Sequence, residues 1–312
     1  MSWRRPTVRS EPKTSTTDVR QFLAEVHTAI GSVLERWCEW ISREIESPVA
    51  DAMVYSLSAP GKRLRPALAL GAYRGLGGGG DASELAAALE IVHTYSLVHD
   101  DLPCMDDDDM RRGRPTTHRR FGSTIAMEAG FRLVPLSARV LASGAKRLAL
   151  GAATLEAIAC ELYRAAGATG MIGGQALDLE AEESDVSLDT LTRIHRMKTG
   201  ALIAASAVIG AMAAGAPPQA IDAVRAYGEE VGLAFQIVDD VLDATGTSQE
   251  LGKTAGKDAD QNKASFASLL GVDGARRRAL ERVDLAVARL GGAGVDSPVL
   301  AELARMMVER KS

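Results

Sequence analysis

Six aspartates fall within ten residues, as Asp100, Asp101 and Asp106 to Asp109, and Arg111, Arg112 and Arg114 follow at once. Carboxylates packed this densely repel one another unless a cation sits among them. Hard divalent cations with oxygen ligands are the usual partner, and magnesium completes its shell with water and the oxygens of a phosphorylated substrate. Arginines directly behind such a group suit phosphate, because the planar guanidinium fork binds two oxygens at once. The stretch 93–116, HTYSLVHDDLPCMDDDDMRRGRPT, therefore reads as a magnesium–diphosphate site. A calcium loop starting at Asp106 is excluded, since its sixth position needs Gly and holds Arg111, and its twelfth needs Glu and holds Thr117.

A second acidic group stands at 235–243, FQIVDDVLD. Asp239 and Asp243 are four apart and Asp240 and Asp243 three apart, so all three are expected to crowd one helix face beside Gln236. The apolar neighbours Val231, Phe235, Ile237, Val238, Val241 and Leu242 argue against an open solvent face. Basic residues occur in separate loops. In the sequence Pro60-Gly61-Lys62-Arg63-Leu64-Arg65-Pro66, Pro66 is expected at the first position of a helix, whose N-terminus with Lys62 and Arg65 makes an anion site. His93 lies seven residues before Asp100 and so on nearly the same face. Lys198-Thr199-Gly200, before a long apolar run, again suits phosphate. Gln175 and Asp178, three apart, are equally compatible with a structural hydrogen bond and with a substrate contact. The loop 252–258, GKTAGKD, is not a P-loop: Thr247 stands where Gly is required, and no strand precedes it.

The elements that must carry these groups are helical. Aromatics make up only 4% of the 312 residues while alanine and leucine abound, which favours helix over strand. Apolar periodicity predicts a helix from about 18, with Asp18 as cap and Trp37 and Trp40 sharing a packing face. It predicts others over 82–99, with Ser83 as cap, over an Ala-rich 121–170 kinked at Pro135, over 219–245, and through 271–312 around a glycine turn at 291–294. Pro103 must break the helix after Asp101, which lets Asp106 return toward Asp100. The run 201–216 is too short for a membrane span and reads as a buried helix. A net charge of −5 without a basic face argues against nucleic acid. Cys38, Cys104 and Cys160 are scattered and form neither a disulfide framework nor a zinc motif, which fits a reducing compartment. Residues 1–17 read as a disordered polar arm with no apolar signal-peptide core, and 18–312 as one domain.

Taken together and in order, GKRLRP, HTYSLVHDDLPCMDDDDMRRGRPT, GGQALD, KTG, FQIVDDVLD and GKTAGKD resemble the motifs of the short-chain trans-isoprenyl diphosphate synthases, of the bacterial farnesyl/geranylgeranyl type. The resemblance runs from about residue 20 to the end. It implies an all-α fold, a single large helical bundle around a central apolar cavity. It implies several magnesium ions, or manganese, held by Asp100, Asp101, Asp106, Asp239 and Asp243, with Asp240 and Lys198 among the catalytic groups. Arg111, Lys198, Thr199, Gln236 and Lys257 are then contacts of the allylic diphosphate, and Lys62, Arg65, His93 and Arg112 contacts of isopentenyl diphosphate. It further implies a cytoplasmic homodimer without a membrane span.

The implied reaction is ionisation of an allylic diphosphate, dimethylallyl or geranyl, followed by attack of the isopentenyl double bond. Tyr95, five residues before Asp100, is in the position where a bulky residue closes the chain pocket, which favours a C15 product, farnesyl diphosphate, over C20. One region departs from the family pattern: Ala129-Gly130-Phe131-Arg132-Leu133-Val134, preceded by Glu128, stands where AGDALL is usual, and this bears on pocket shape or dimer packing. A class I terpene cyclase would carry Asn, Ser/Thr and Glu at its second metal site, where this chain has three aspartates. A non-catalytic subunit of a heteromeric synthase tends to lack one acidic motif, and both are intact here.

Overall fold

The computed structural model describes residues 16–181, 186–245 and 264–309. Two helices form the centre. One is α10 (Ala201–Ala213), apolar on every side and almost wholly buried, with α3 (Leu64–Gly75), α7 (Ala152–Ala166) and α11 (Pro218–Thr245) packed around it. A helix apolar all round has no face to give to water, so it takes the middle. The other is α4 (Ser83–Asp100), buried from Ser83 to Val92 and covered by α1 (Thr16–Glu44), α3 and α6 (Ser123–Arg147). The outer helices, among them α13 (Val272–Gly292) and α14 (Pro298–Glu309), keep one apolar face inward. Among the described residues no helix is long and apolar enough to cross a membrane. The all-α expectation holds.

Several local expectations are corrected. Helix α1 is already formed at Thr16, ahead of Asp18, while residues 1–15 lie outside the described residues. Pro66 is the third residue of α3 rather than the first, and Arg63, with left-handed backbone (φ 50°), is the residue before the helix. Ser83 does not cap α4 but is its first residue, after Ala82 at the cap position; its backbone N–H donates to Oδ1 of Asp81 at 3.0 Å. The 121–170 region is divided between α5 (Thr117–Phe121), α6 with Pro135 inside it, and α7. Trp37 and Trp40 do pack edge to face, 5.8 Å apart.

Two features went unforeseen. A small hairpin, β1 (Met110–Arg111) with β2 (Arg114–Pro115), turns through Arg112 (φ 53°) and Gly113 (φ 73°). Positive φ at both central residues is what a two-residue hairpin of matching twist requires, and an arginine there is uncommon. The second is a π-turn, Arg196–Gly200, that runs without a break between α9 (Leu188–His195) and α10. Inserting one residue into a helix re-aims those that follow, and such turns gather at functional sites.

Candidate active site

The first acidic group is built by a helix end and a proline. Helix α4 delivers Asp100 at its last turn, the chain folds over at 101–106, and the Asp106 N–H donates to the Asp100 carbonyl at 2.8 Å. This is the return that Pro103 predicts. The Asp101 carboxylate, 3% exposed, accepts from Arg111 Nε at 2.6 Å, and Arg111 also reaches Asp108 at 3.2 Å. Gln175, from α8 (Met171–Ala181), donates to Asp106 at 3.0 Å, and Lys198 in the π-turn donates to Asp178 at 2.6 Å. Gln175 and Asp178 thus hold the acidic and basic members of the site. The sequence left their role open; the GGQALD spacing was the available signal.

Burial pushes the Asp100 carboxyl up to about 7 against the pull of Lys198, with the negative charges of Asp106 and Asp101 adding to the rise. Burial likewise lifts Asp101 to about 6, against the pull of Arg111. Carboxylates in this condition are relieved by a bound cation.

A basic chamber adjoins them. His93, on α4, is half-buried, and its Nδ1 is buried without a hydrogen-bond partner. Burial, then Arg65, Arg112, Arg111 and Arg63 in that order, holds its imidazole well below 6.5 and so neutral. Arg63 is bonded to Glu90, a carboxylate only 2% exposed, and Arg111 to Asp101. Among the described residues no carboxylate is bonded to Arg65 or Arg112, so the cluster carries surplus positive charge. Burial lowers Arg65 to about 10, opposed by Glu90 and Asp239. Gly61 lies close against the Arg112 guanidinium: a Cβ on it would be 2.7 Å away, so a larger residue would displace the end of that side chain. Lys62 is exposed on the turn before α3. Arg63 and Glu90 were not singled out from sequence, because nothing local marks Glu90 as the partner of an arginine 27 residues away.

The second acidic group sits on α11. Gln236, Asp239 and Asp243 are half-buried along one face. Asp240 is not with them. It is 8% exposed and accepts the Phe266 backbone N–H at 2.7 Å and shares a hydrogen bond with His195 Nε2 at 3.3 Å. The expectation that all three aspartates crowd one face is therefore corrected: a one-residue step turns a helical side chain by about 100°, and the neighbouring elements claim Asp240. Each acidic group has a cation acting on it: Lys198 on Asp100 of the first, and Arg65 on Asp239 of the second. Thr199 is half-buried in the π-turn. Lys257 and the GKTAGKD loop lie outside the described residues. Among the described residues, no three acidic or histidine side chains converge as a ready-made metal cage.

Tyr95 is half-buried with its ring edge-on to His99, 5.0 Å away, and His99 is edge-on to Phe131, also 5.0 Å away. Phe131, one of the departures noted in sequence, thus ends an aromatic row that begins at Tyr95. Glu128 and Arg132 pair with each other on the exposed side of α6.

Comparison with known proteins fits this arrangement. The family model for polyprenyl synthetase matches residues 46–287. The chain belongs to the polyprenyl synthetase family. It is a trans-prenyltransferase, as the order of its motifs implies. It is 37% identical over 296 residues to the farnesyl diphosphate synthase of Bacillus subtilis (strain 168), covering 95% of this chain and 99% of that one. It is 42% identical over 269 residues to the farnesyl diphosphate synthase of Escherichia coli (strain K12), covering 85% and 90%. A solved geranyltransferase from Helicobacter pylori, complexed with magnesium and isoprenyl diphosphate, superposes with a TM-score of 0.77 at 30% identity, covering 97% of this chain and 98% of that one.

Proposed function

We propose that this enzyme condenses isopentenyl diphosphate head-to-tail with dimethylallyl or geranyl diphosphate and releases mainly farnesyl diphosphate. The observation that carries the reading is the pairing of two chambers of opposite demand. Carboxylates at half-buried Asp100 and buried Asp101, both pushed up by loss of water, call for cations, and a neutral His93 among four arginines calls for an anion. An allylic diphosphate gripped through metal belongs in the first, and isopentenyl diphosphate in the second.

The donor set fits magnesium. It offers carboxylate oxygens and no thiolate, and the acids are held where a divalent cation stabilises them. Asp100, Asp101 and Asp106 would hold metal from one side and Asp239 and Asp243 from the other. When bound, magnesium neutralises charge on the departing diphosphate. Lys198 and Thr199 contact that diphosphate from the π-turn, with Arg111 and Gln236 beside it, and so favour ionisation of the allylic C–O bond. Arg65, Arg112, Lys62 and His93 orient isopentenyl diphosphate so that its double bond attacks the allylic cation. Buried helices exclude water that would quench the cation. On family grounds we assign the proton lost in the last step to the departing diphosphate. We place Tyr95 at the floor of the chain pocket, and we assign the enzyme a homodimeric assembly on family grounds.

Labelled isopentenyl diphosphate, incubated with dimethylallyl, geranyl or farnesyl diphosphate and magnesium, should give C15 as the main product by chromatography. Turnover should stop on exhaustive chelation and return with added magnesium. Condensation that persists without divalent cations, or hydrocarbon released from farnesyl diphosphate alone, overturns the reading.

A further inference from the structure

Asp240 belongs to the second acidic motif, yet its partners are structural. Its carboxylate takes the Phe266 N–H at 2.7 Å and His195 Nε2 at 3.3 Å. The His195 ring is stacked on Phe266, with centroids 5.6 Å apart and planes 24° from parallel. Phe266 opens α12 (Phe266–Leu270). The His195 and Asp240 side chains are 11% and 10% exposed, so the contact is largely shielded from water. A carboxylate only accepts, so Nε2 must carry the proton, and one tautomer of His195 is selected.

His195 is the last residue before the π-turn. Arg196 follows and reaches Glu230 at 3.5 Å; the same Glu230 takes Arg282 of α13 at 3.1 Å. Gly200 closes the turn against Gly232. The turn is thus fastened to α11 at three points, and His195 is the fastening at its N-terminal end. Between the fastenings stand Lys198 and Thr199. A π-turn has poorer backbone geometry than the helix around it, so tertiary contacts must hold it in register. The same contact ties the start of the turn to α11, the helix that carries Asp239 and Asp243.

We propose that His195 is a positioning residue: through its hydrogen bond to Asp240 it sets the register of the Lys198–Thr199 turn against the metal-binding face of α11. The proposal rests on the prenyltransferase reading above and concerns the allylic-diphosphate chamber alone. Among the described residues no hydrogen bond or ion pair joins His195 to Arg63, Arg65, His93 or Arg112, which build the isopentenyl chamber.

The test uses two variants of the full chain. His195→Phe keeps a ring to stack on Phe266 and loses the donor, whereas His195→Gln keeps a donor and loses the ring. Steady-state kinetics are measured with geranyl and isopentenyl diphosphates varied separately and with magnesium titrated. His195→Phe should raise both the KM for geranyl diphosphate and the half-saturating magnesium concentration about tenfold, the lower end for loss of an outer-shell partner. Its KM for isopentenyl diphosphate should change less than about twofold on the same reasoning. His195→Gln should recover most of the loss. Equal rises in both KM values overturn the proposal, as does a His195→Phe enzyme with wild-type constants or a fall in Tm alone. Absence of condensation by the wild-type enzyme would instead defeat the prenyltransferase reading, so the two failures are separable.

Discussion

Replacing Gly232 by alanine tests whether the spacing between α11 and the π-turn controls the chemistry. A Cβ at 232 would lie 2.7 Å from Gly200 Cα and 3.3 Å from its carbonyl oxygen. Both neighbours are backbone, so no side chain can rotate away. Ordinary contact begins near 3.4 Å, so the two elements must part by about 0.7 Å. Overpacking of this kind costs about 1–3 kcal/mol. The gain in helix propensity from Gly to Ala returns about 1 kcal/mol, so the net loss of stability should be modest, roughly 0–2 kcal/mol. Activity should suffer more, because misplacement of catalytic groups by about 1 Å can cost on the order of 100-fold. We expect kcat/KM for geranyl diphosphate to fall about 10- to 100-fold. Gly144→Ala is the control. Its Cβ would meet the Leu85 backbone nitrogen at 2.6 Å, an equal intrusion between helices α6 and α4. That contact lies about 22 Å along α4 from Asp100, at 1.5 Å per residue. Urea unfolding and steady-state kinetics on both variants decide the matter. Gly144→Ala should lose comparable stability and keep kcat/KM within about threefold of wild type. If both variants lose activity alike, or Gly232→Ala retains full activity, the spacing does not set the rate.

Tyr95→Ala should shift the main product from C15 to C20 or longer, read by chromatography of the reaction products; an unchanged C15 output would remove Tyr95 from the floor of the pocket. His93 supplies a pH dependence. Its folded pKa is depressed below 6.5, so below that pH the unfolded chain binds a proton that the folded chain does not. The associated stability is present above 6.5 and is lost as pH falls. Between pH 7.5 and 5.5 the wild type should lose up to about 1.4 kcal/mol more than His93→Gln in urea unfolding. Parallel curves for the two proteins would show that His93 is not held neutral.

Much of the site is written in local grammar. The Pro103 break and the return of Asp106 to Asp100 need only the chemistry of one ring within seven residues. The burial of α10 follows from a sequence with no polar face to offer. The order of the acidic and basic motifs was enough to name the family. Tertiary structure decided what depends on distant partners. Asp240 looked identical to Asp239, and only Phe266 and His195, 26 and 45 residues away, turn it from the metal side into a fastening. The π-turn depends on Gly200 meeting Gly232 across two helices, which no periodicity in either reveals. Glu90 reads as one more polar residue on an apolar helix until Arg63, in a left-handed conformation, closes on it. Spacing along a chain fixes which side chains can share a face; which of them then face substrate and which face one another is settled by what packs alongside.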